Sequence, residues 1–206
     1  MYDEFKSPVN IQTQCYYTSN VSFKYPMVYG LSDPMIQQRM NYRIYSLMLE
    51  VISELINPYS NTITYVTGFY EIKTNERDVL SITLNATGDF GGAHPMSVVK
   101  ALTFDVKTGD EYELYQLFLP DSDYIQRMSD MIAIQIKERD IPLLGDFKGI
   151  SPTQDYYIAD KALVIFFQLY EIAPYAAGFP YFVIPIYDVS DIIVPDGLLS
   201  RMLYWL

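Results

Sequence analysis

The sequence contains one histidine, His94, and one cysteine, Cys15, which are the residue types that most often serve as bases, nucleophiles or metal ligands. One histidine cannot supply the two or three imidazoles of a zinc site, and one cysteine permits neither an intramolecular disulfide nor a cysteine-based metal site. Cys15 lies in a predicted strand near the N-terminus, where we expect a small buried or half-buried side chain. We therefore expect no metal and no cofactor.

Acid–base chemistry would have to come from His94 and from carboxylates. Glu171 follows a strongly apolar predicted strand, where partial burial would favour its protonated form and suit a general acid. Alternatively, Glu171 accepts hydrogen bonds from loop amides and holds residues 174–178 in shape. A glycosidase would need a second carboxylate at a suitable distance. Three residues are available for it: Asp89, Asp155 and Asp160.

His94 stands between a glycine pair and Pro95, at the start of a predicted strand. It is either a general base or ligand contact near Glu171, or a loop residue whose ring bonds the backbone and fixes the turn. The spacing of these groups does not single out a catalytic constellation, so no catalytic residue is predicted.

Aromatic residues make up 16% of the chain, mainly as 20 Tyr and 11 Phe. Tyrosine combines an apolar ring with a polar tip, which suits contacts with proteins and sugars, although it is also favoured in strands without any ligand. Six tyrosines lie in the predicted C-terminal strands and their loops: Tyr156, Tyr157, Tyr170, Tyr175, Tyr181 and Tyr187. With His94 and Glu171, we take three of them as candidate ligand-binding residues: Tyr170, Tyr175 and Tyr181.

The formal net charge is −11, from 14 basic and 25 acidic residues. An acidic chain repels phosphate backbones, so we expect no nucleic-acid partner. Residues 105–130 hold seven acidic and two basic side chains, which favour either a solvated surface or the attraction of a basic partner. The N-terminus lacks the positive charge and apolar region of a signal peptide, and no apolar stretch reaches the roughly 20 residues of a membrane span.

The elements that must position these residues begin with a long helix. Ser32-Asp33-Pro34 predicts its start, through a capping side chain and a proline in the first turn, and Asn57-Pro58 predicts its end. Apolar residues between them recur at steps of three and four, which places one stripe along a helix that covers a sheet. The stripe consists of Ile36, Met40, Ile44, Leu47, Val51 and Leu55.

Strands are predicted both before and after this helix in the sequence. Residues 9–29 have an extended composition, and Leu80, Ile82 and Leu84 alternate with polar residues as in a half-buried strand. The further predicted strands cover residues 62–69, 96–106, 112–118, 156–158, 162–170 and 181–187. A second helix is predicted after a cap at Asp121-Ser122 and ends before Pro142, and a short helical turn covers 198–205.

Runs of strands with helices set apart predict an α+β fold, with one or more antiparallel sheets covered by two main helices. We place a strand–helix–strand–strand unit at residues 1–88 and a second unit at residues 89–206.

Four segments carry a resemblance to a known family: Gly91-Gly92-Ala93-His94, residues 114–118, residues 156–167 and, most specifically, residues 170–178 with the sequence YEIAPYAAG. They resemble the extracytoplasmic domain of RsiV-type anti-sigma factors, which is otherwise a domain of unknown function. Residues 9–85 resemble the companion domain that often precedes it and that also occurs beside a peptidoglycan deacetylase domain.

The resemblance implies a non-enzymatic binding and sensing module, because RsiV-like domains bind lysozyme. This chain departs from the family pattern in lacking a transmembrane and a sigma-binding segment, so the resemblance does not imply the signalling role. The expected partner is a basic protein such as lysozyme, or a glycan, and the acidic charge agrees with the former. Two other readings stay open: a cell-wall sugar hydrolase that uses Glu171, and an intracellular interaction protein.

Overall fold

The computed structural model describes residues 9–56 and 64–203. The chain divides into two compact units, unit 1 (Met1–Glu111) and unit 2 (Tyr112–Leu206). The boundary that the sequence predicts after residue 88 stays a prediction. It falls inside a strand of unit 1 that runs from Val79 to Asp89, and Gly88 itself pairs there with Met96 of the next strand.

Unit 1 contains a six-stranded sheet in the order β1-β2-β3-β4-β5-β6. Its strands are β1 (Asn10–Tyr17), β2 (Val21–Tyr29), β3 (Tyr65–Glu76), β4 (Val79–Asp89), β5 (Met96–Asp105) and β6 (Asp110–Glu111). Each neighbouring pair is antiparallel except β2 and β3, which run parallel because the first helix connects them. The predicted strands after the helix are thereby confirmed for β3, β4 and β5, which follow one another as antiparallel neighbours.

Helix α1 (Pro34–Ile56) covers one face of this sheet. The predicted stripe is confirmed, since its residues from Met40 to Leu55 are buried and Ile36 packs against the same core. The start is confirmed as well, because Asp33 Oδ1 accepts a hydrogen bond from the backbone N–H of Met35 at 2.8 Å.

A short parallel joint connects the β1–β2 hairpin to the rest of the sheet. It has three residue pairs: Val21 with Val66, Ser22 with Thr67, and Phe23 with Gly68. The fully buried Phe23 ring lies over Gly68 so closely that a Cβ built on the glycine would be 2.1 Å from the ring. The absence of a side chain at Gly68 therefore lets β2 approach β3.

Outside this parallel joint, two asparagine side chains form the hydrogen bonds that a neighbouring strand would otherwise make with the backbone. The amide of Asn41, on α1, accepts from the N–H of Val28 at 2.7 Å and donates to its carbonyl at 2.8 Å. The amide of Asn75, on β3, makes the same two bonds to Val9, both at 2.8 Å. Since an unpaired backbone group in a buried place costs free energy, each asparagine replaces a missing neighbouring strand.

Two expectations about unit 1 are wrong. Strand β4 is covered on both faces from Val79 to Leu84 rather than half-buried, since Ser81 and Thr83 are also buried and Ser81 Oγ lies 2.8 Å from Thr103 Oγ1. Cys15 is exposed rather than buried, because it lies opposite Lys24 on the face of the sheet that is turned away from the core.

Unit 2 contains a three-stranded antiparallel sheet in the order β7-β8-β9. Its strands are β7 (Tyr156–Ala159), β8 (Ala162–Phe166) and β9 (Tyr181–Pro185), and its helices are α2 (Tyr124–Glu138) and α3 (Leu198–Leu203). Three 3-10 turns complete it, at Leu114–Leu117, Tyr175–Ala177 and Ile186–Val189.

Several predicted bounds in unit 2 are wrong. The predicted strand 112–118 holds a 3-10 turn, because Glu113 and Gln116 form a reciprocal capping box that closes the chain into a turn. Helix α2 begins at Tyr124 after Asp123, and not after a cap at Asp121-Ser122. Strand β8 ends at Phe166 and β9 at Pro185, because the chain turns at both places.

Side chains of α2 cover the outer edge of β9. Gln135 Nε2 donates to the carbonyl of Val183 at 2.9 Å, and Arg139 Nη1 donates to the carbonyl of Tyr181 at 2.6 Å. The Arg139 guanidinium also lies 5.4 Å from the centre of the Phe182 ring, within the range of a cation–π contact. These two carbonyls at the outer edge of β9 therefore accept hydrogen bonds although no further strand pairs with β9.

The predicted α+β class is confirmed by these two sheets and three helices. Parts of four sequence-based interpretations lie outside the described residues: the N-terminal segment, the helix end at Asn57-Pro58, the strand start at residues 62–63, and the last residues of the helical turn 198–205.

The contact of Phe23 with Gly68 gives the first prediction. Replacing Gly68 with Ala should lower the free energy of unfolding by about 1–3 kcal/mol, because a buried ring must move away from the new methyl group. Urea denaturation followed by circular dichroism measures the change. Gly92→Ala is the matched control and should have little effect, since nothing lies within 4 Å of its Cβ position. Equal effects of the two changes would contradict this account.

The ion pair of Arg127 with Asp191 gives a prediction on pH. Arg127 Nη1 lies 2.8 and 2.7 Å from the two carboxylate oxygens, and this hydrogen bond lowers the pKa of Asp191. The pair therefore stabilises the fold at neutral pH and loses its contribution as the pH falls through the lowered pKa. The Asp191 carboxyl, followed by carbon-13 NMR, should titrate below the usual range for aspartate and return to it in Arg127→Gln. An unchanged titration in that variant would contradict the assignment.

Candidate functional site

The loop that follows β8 carries the most specific candidate residues, and Glu171 closes its first turn. The Glu171 N–H donates to the carbonyl of Gln168 at 3.1 Å, and Glu171 Oε2 accepts from the Gln168 N–H at 2.7 Å. Glu171 is exposed. The carboxylate thus holds its own loop, as the second of the two sequence-based interpretations expected, although through Gln168 rather than through residues 174–178.

Gln154 connects this turn to the sheet. Its buried Nε2 donates to the carbonyl of Phe166 at 3.0 Å and to Glu171 Oε1 at 3.1 Å. Both oxygens of the Glu171 carboxylate therefore accept hydrogen bonds. A second amide, Gln168 Nε2, donates to Asp155 Oδ2 at 2.7 Å. The loop is fixed to the end of β8 by polar side chains on both sides.

A cavity of about 460 Å³ lies beside this network in unit 2. The loop at residues 143–149 forms one wall, including Asp146 and Lys148, and Gln154, Phe167 and Glu171 contribute to the lining. Charged and amide groups thus face the same space as an apolar ring, an arrangement that suits binding of a mixed polar and apolar group.

Tyr170 and Tyr175 form an aromatic pair in the same loop. Their ring centres lie 5.9 Å apart with planes inclined by 34°, and Tyr170 is 46% exposed. Tyr170 has a left-handed backbone conformation, with φ of 66°, which costs energy in a residue with a side chain. At the other end, Gly178 takes a φ of 68° and its N–H donates to the carbonyl of Tyr175 at 3.0 Å. The loop holds the two rings together at its surface.

Tyr181 lies in a second aromatic group on the outer face of the three-stranded sheet. Its ring centre is 5.6 Å from that of Phe166, 6.3 Å from that of Tyr157 and 6.4 Å from that of Phe179. Tyr181 is half-buried in this group and Phe166 is fully buried, so the Tyr181 ring packs within an aromatic cluster and does not project from it.

His94 lies in unit 1, in the exposed loop between β4 and β5, whereas Tyr170, Glu171, Tyr175 and Tyr181 lie in unit 2. The turn before it is held by Asp89 Oδ1, which accepts from the Gly91 N–H at 2.9 Å. Gly91 has a φ of 70°, which explains the glycine. The four unit 2 residues come from one loop and one sheet face, and His94 stays a separate candidate.

The acidic run at residues 105–130 is only partly a solvated surface. Arg39 Nη1 lies 2.6 Å from Asp110 Oδ1, and Arg43 pairs with Glu111 through two nitrogens at 2.5 and 3.2 Å. These acids hold β6 to α1. Unit 2 as a whole retains thirteen acidic against six basic residues.

Within residues 9–56 and 64–203, no cluster of three or more His, Cys, Asp or Glu side chains has the arrangement of a metal site. None of the helices described there is long and apolar enough to cross a membrane.

Sequence reasoning missed the two glutamines, Gln154 and Gln168, that hold the candidate loop. A glutamine in a loop has no periodicity and no charge, so its sequence gives no signal of a buried role. Gln154 stands three residues after Ser151. The Ser151 N–H donates to Gln154 Oε1 at 3.4 Å, a local turn contact that gives no sign of the longer-range bonds to Phe166 and Glu171.

A family model and a characterised bacterial protein both match this chain. Residues 115–187 match the family model DUF3298, described as a protein of unknown function. The anti-sigma-V factor RsiV of Bacillus subtilis is 30% identical over 193 residues, which cover 86% of this chain and 67% of that protein.

Two crystal structures share the fold at low sequence identity. A DUF3298 family member from Bacteroides fragilis is 12% identical with a TM-score of 0.66, covering 97% of this chain and 98% of the other. A DUF3298 family protein from Pseudomonas aeruginosa is 13% identical with a TM-score of 0.68, covering 92% and 96%.

The hydrogen bonds of the Glu171 carboxylate give a prediction about stability, which tests whether this side chain has a structural role. Glu171→Ala should lower the free energy of unfolding by about 1 kcal/mol, because the Gln168 N–H and the buried Gln154 amide each lose an acceptor. Asp146→Ala removes a carboxylate from the same cavity wall and should leave stability unchanged. Denaturation curves of the two variants make the comparison, and an unaffected Glu171→Ala protein would refute the structural role.

Proposed function

The chain belongs to the family of the anti-sigma-V factor RsiV, and on that premise we propose that it is a non-enzymatic binding module that recognises a basic envelope-associated protein such as lysozyme. The single observation that supports the proposal is the rigidly held loop of unit 2 that presents Tyr170 and Tyr175 side by side. We call Tyr170 and Tyr175 the tyrosine pair.

The tyrosine pair has the properties of a protein-recognition surface. Tyrosine is enriched among the residues that dominate binding energy, because it buries a large ring at a small cost in side-chain entropy. The loop is already fixed by Gln168 and Gln154, so little conformational freedom is lost on binding.

Charge supports a basic partner. With thirteen acidic and six basic residues, unit 2 has a net charge of −7. Opposite charges on a partner increase the rate of encounter, and salt weakens this effect because it screens exposed charges. Lysozymes are basic proteins, so the sign of the charge agrees with the family relationship.

The hydrogen bonds of Glu171 favour binding over hydrolysis. Both oxygens of this carboxylate accept hydrogen bonds from Gln154 and Gln168, so they hold the loop rather than face a substrate. We therefore propose a structural role for Glu171 and no catalytic residue in this unit.

Isothermal titration calorimetry with hen egg-white lysozyme tests the proposal. We expect saturable binding at low salt that weakens several-fold as sodium chloride rises from 50 to 500 mM. Tyr170→Ala and Tyr175→Ala should each weaken the dissociation constant about tenfold, the effect of losing one well-placed aromatic anchor.

Tyr187→Ala is the matched control, since Tyr187 is 77% exposed in the same unit but lies outside the tyrosine pair. Its affinity should equal that of the unchanged protein. No measurable heat at low salt with either hen or human lysozyme would reject lysozyme as the partner. An equal loss in all three variants would reject the tyrosine pair as the binding surface.

A further inference from the structure

Five hydroxyl-bearing side chains lie in one row across the sheet of unit 1. In register, Tyr17 lies opposite Ser22, Ser22 opposite Thr67, Thr67 opposite Thr87, and Thr87 opposite Ser97. Opposite residues in neighbouring strands point to the same face, so the five share the face that is turned away from α1. We call them the hydroxyl row. With strands about 4.8 Å apart, it is about 19 Å long.

The hydroxyl row keeps hydrogen-bonding capacity. Tyr17 and Thr67 are exposed, and the other three are half-buried. Thr87 Oγ1 and Ser97 Oγ lie 2.7 Å apart, but each hydroxyl offers one donor and two acceptor positions, so a single mutual bond leaves others for a ligand. The Tyr17 hydroxyl is protonated at neutral pH like that of any tyrosine, and a hydrogen bond with Cys15 raises its pKa further.

Two aromatic rings flank the hydroxyl row along β3. Tyr65 and Phe69 precede and follow Thr67 by two residues, so their side chains emerge on the same face, about 13 Å apart. Tyr65 is 42% exposed and Phe69 is 53% exposed. Two exposed rings therefore stand on the face of the hydroxyl row, one on each side of Thr67.

The charges on this face balance, although the chain has a net charge of −11. Neither the hydroxyl row nor the two rings carries a charge. Glu71 follows Phe69 by two residues and pairs through Oε2 with Lys73 Nζ at 3.0 Å, and Asp89 lies opposite Tyr65. Lys24 follows Ser22 by two residues, so two positive side chains offset two negative ones. A neutral ligand is the electrostatic complement of such a patch, whereas a basic protein would be attracted to the acidic surfaces elsewhere.

We propose that this face of unit 1 binds a neutral oligosaccharide. Sugar rings present C–H groups that pack on aromatic faces, and hydroxyl groups at their edges that bond to hydroxyl side chains. Tyr65 and Phe69 contact two sugar residues of one extended chain, and Thr67 bonds to the segment between them. A protein partner would instead require an apolar centre, and the centre here is polar. This site is independent of the tyrosine pair.

NMR titration of the full chain with cellohexaose and with chitohexaose tests the proposal. We expect saturable shifts of the Thr67, Phe69 and Thr87 amides with at least one hexasaccharide, and a dissociation constant that is unchanged between 50 and 500 mM sodium chloride. Tyr65→Ala and Phe69→Ala should weaken binding at least tenfold, and Thr67→Val, which keeps the shape but removes the hydroxyl, several-fold.

Tyr42→Ala is the control, because Tyr42 is 73% exposed on α1 of the same unit and should leave the affinity unchanged. Circular dichroism confirms that each variant is folded. The proposal is overturned if neither hexasaccharide gives saturable shifts, if the shifts lie elsewhere, or if Phe69→Ala binds normally. It is also overturned if light scattering shows a dimer that Phe69→Ala dissociates, since the face would then be a contact between copies.

Discussion

Unit 1 depends on the short parallel joint of β2 and β3. Three residue pairs connect a hairpin that is near the N-terminus with a meander that follows the long helix, and they require Phe23 to lie directly over Gly68. Parallel pairing needs a crossover, and α1 supplies it while covering the same core. The register of this joint decides which side chains share each face of the sheet. The hydroxyl row exists because Ser22 lies opposite Thr67.

Both units use side-chain amides where strands cannot pair. Asn41 and Asn75 take the place of a neighbouring strand for Val28 and Val9, and Gln154 holds the carbonyl at the end of β8 while it orients Glu171. A buried amide offers donor and acceptor together, so it can satisfy a strand end without introducing charge. In unit 2 this arrangement fixes the loop that carries the tyrosine pair. The hydrogen bonds of the buried Gln154 amide therefore both hold the loop and stabilise the end of β8.

The long helix could be predicted because its apolar residues recur at helical spacing, and the hairpins because turn residues separate alternating segments. Residues 112–118 could not be predicted by alternation, since Leu114 and Leu117 fit a 3-10 turn as well as a strand. The Glu113–Gln116 capping pair was the available signal. Candidate tyrosines were found by their concentration, but their pairing depends on the left-handed conformation of Tyr170. The hydroxyl row depends on long-range register, which no local pattern contains.

The cover that α2 provides for β9 has a consequence for solubility. An uncovered outer strand is a template on which other chains can add their own strands, which is a common start of aggregation. Gln135 and Arg139 occupy the carbonyls that such a chain would use. A variant in which α2 is loosened should therefore precipitate at high protein concentration, even while the loop that carries Tyr170 and Tyr175 keeps its structure.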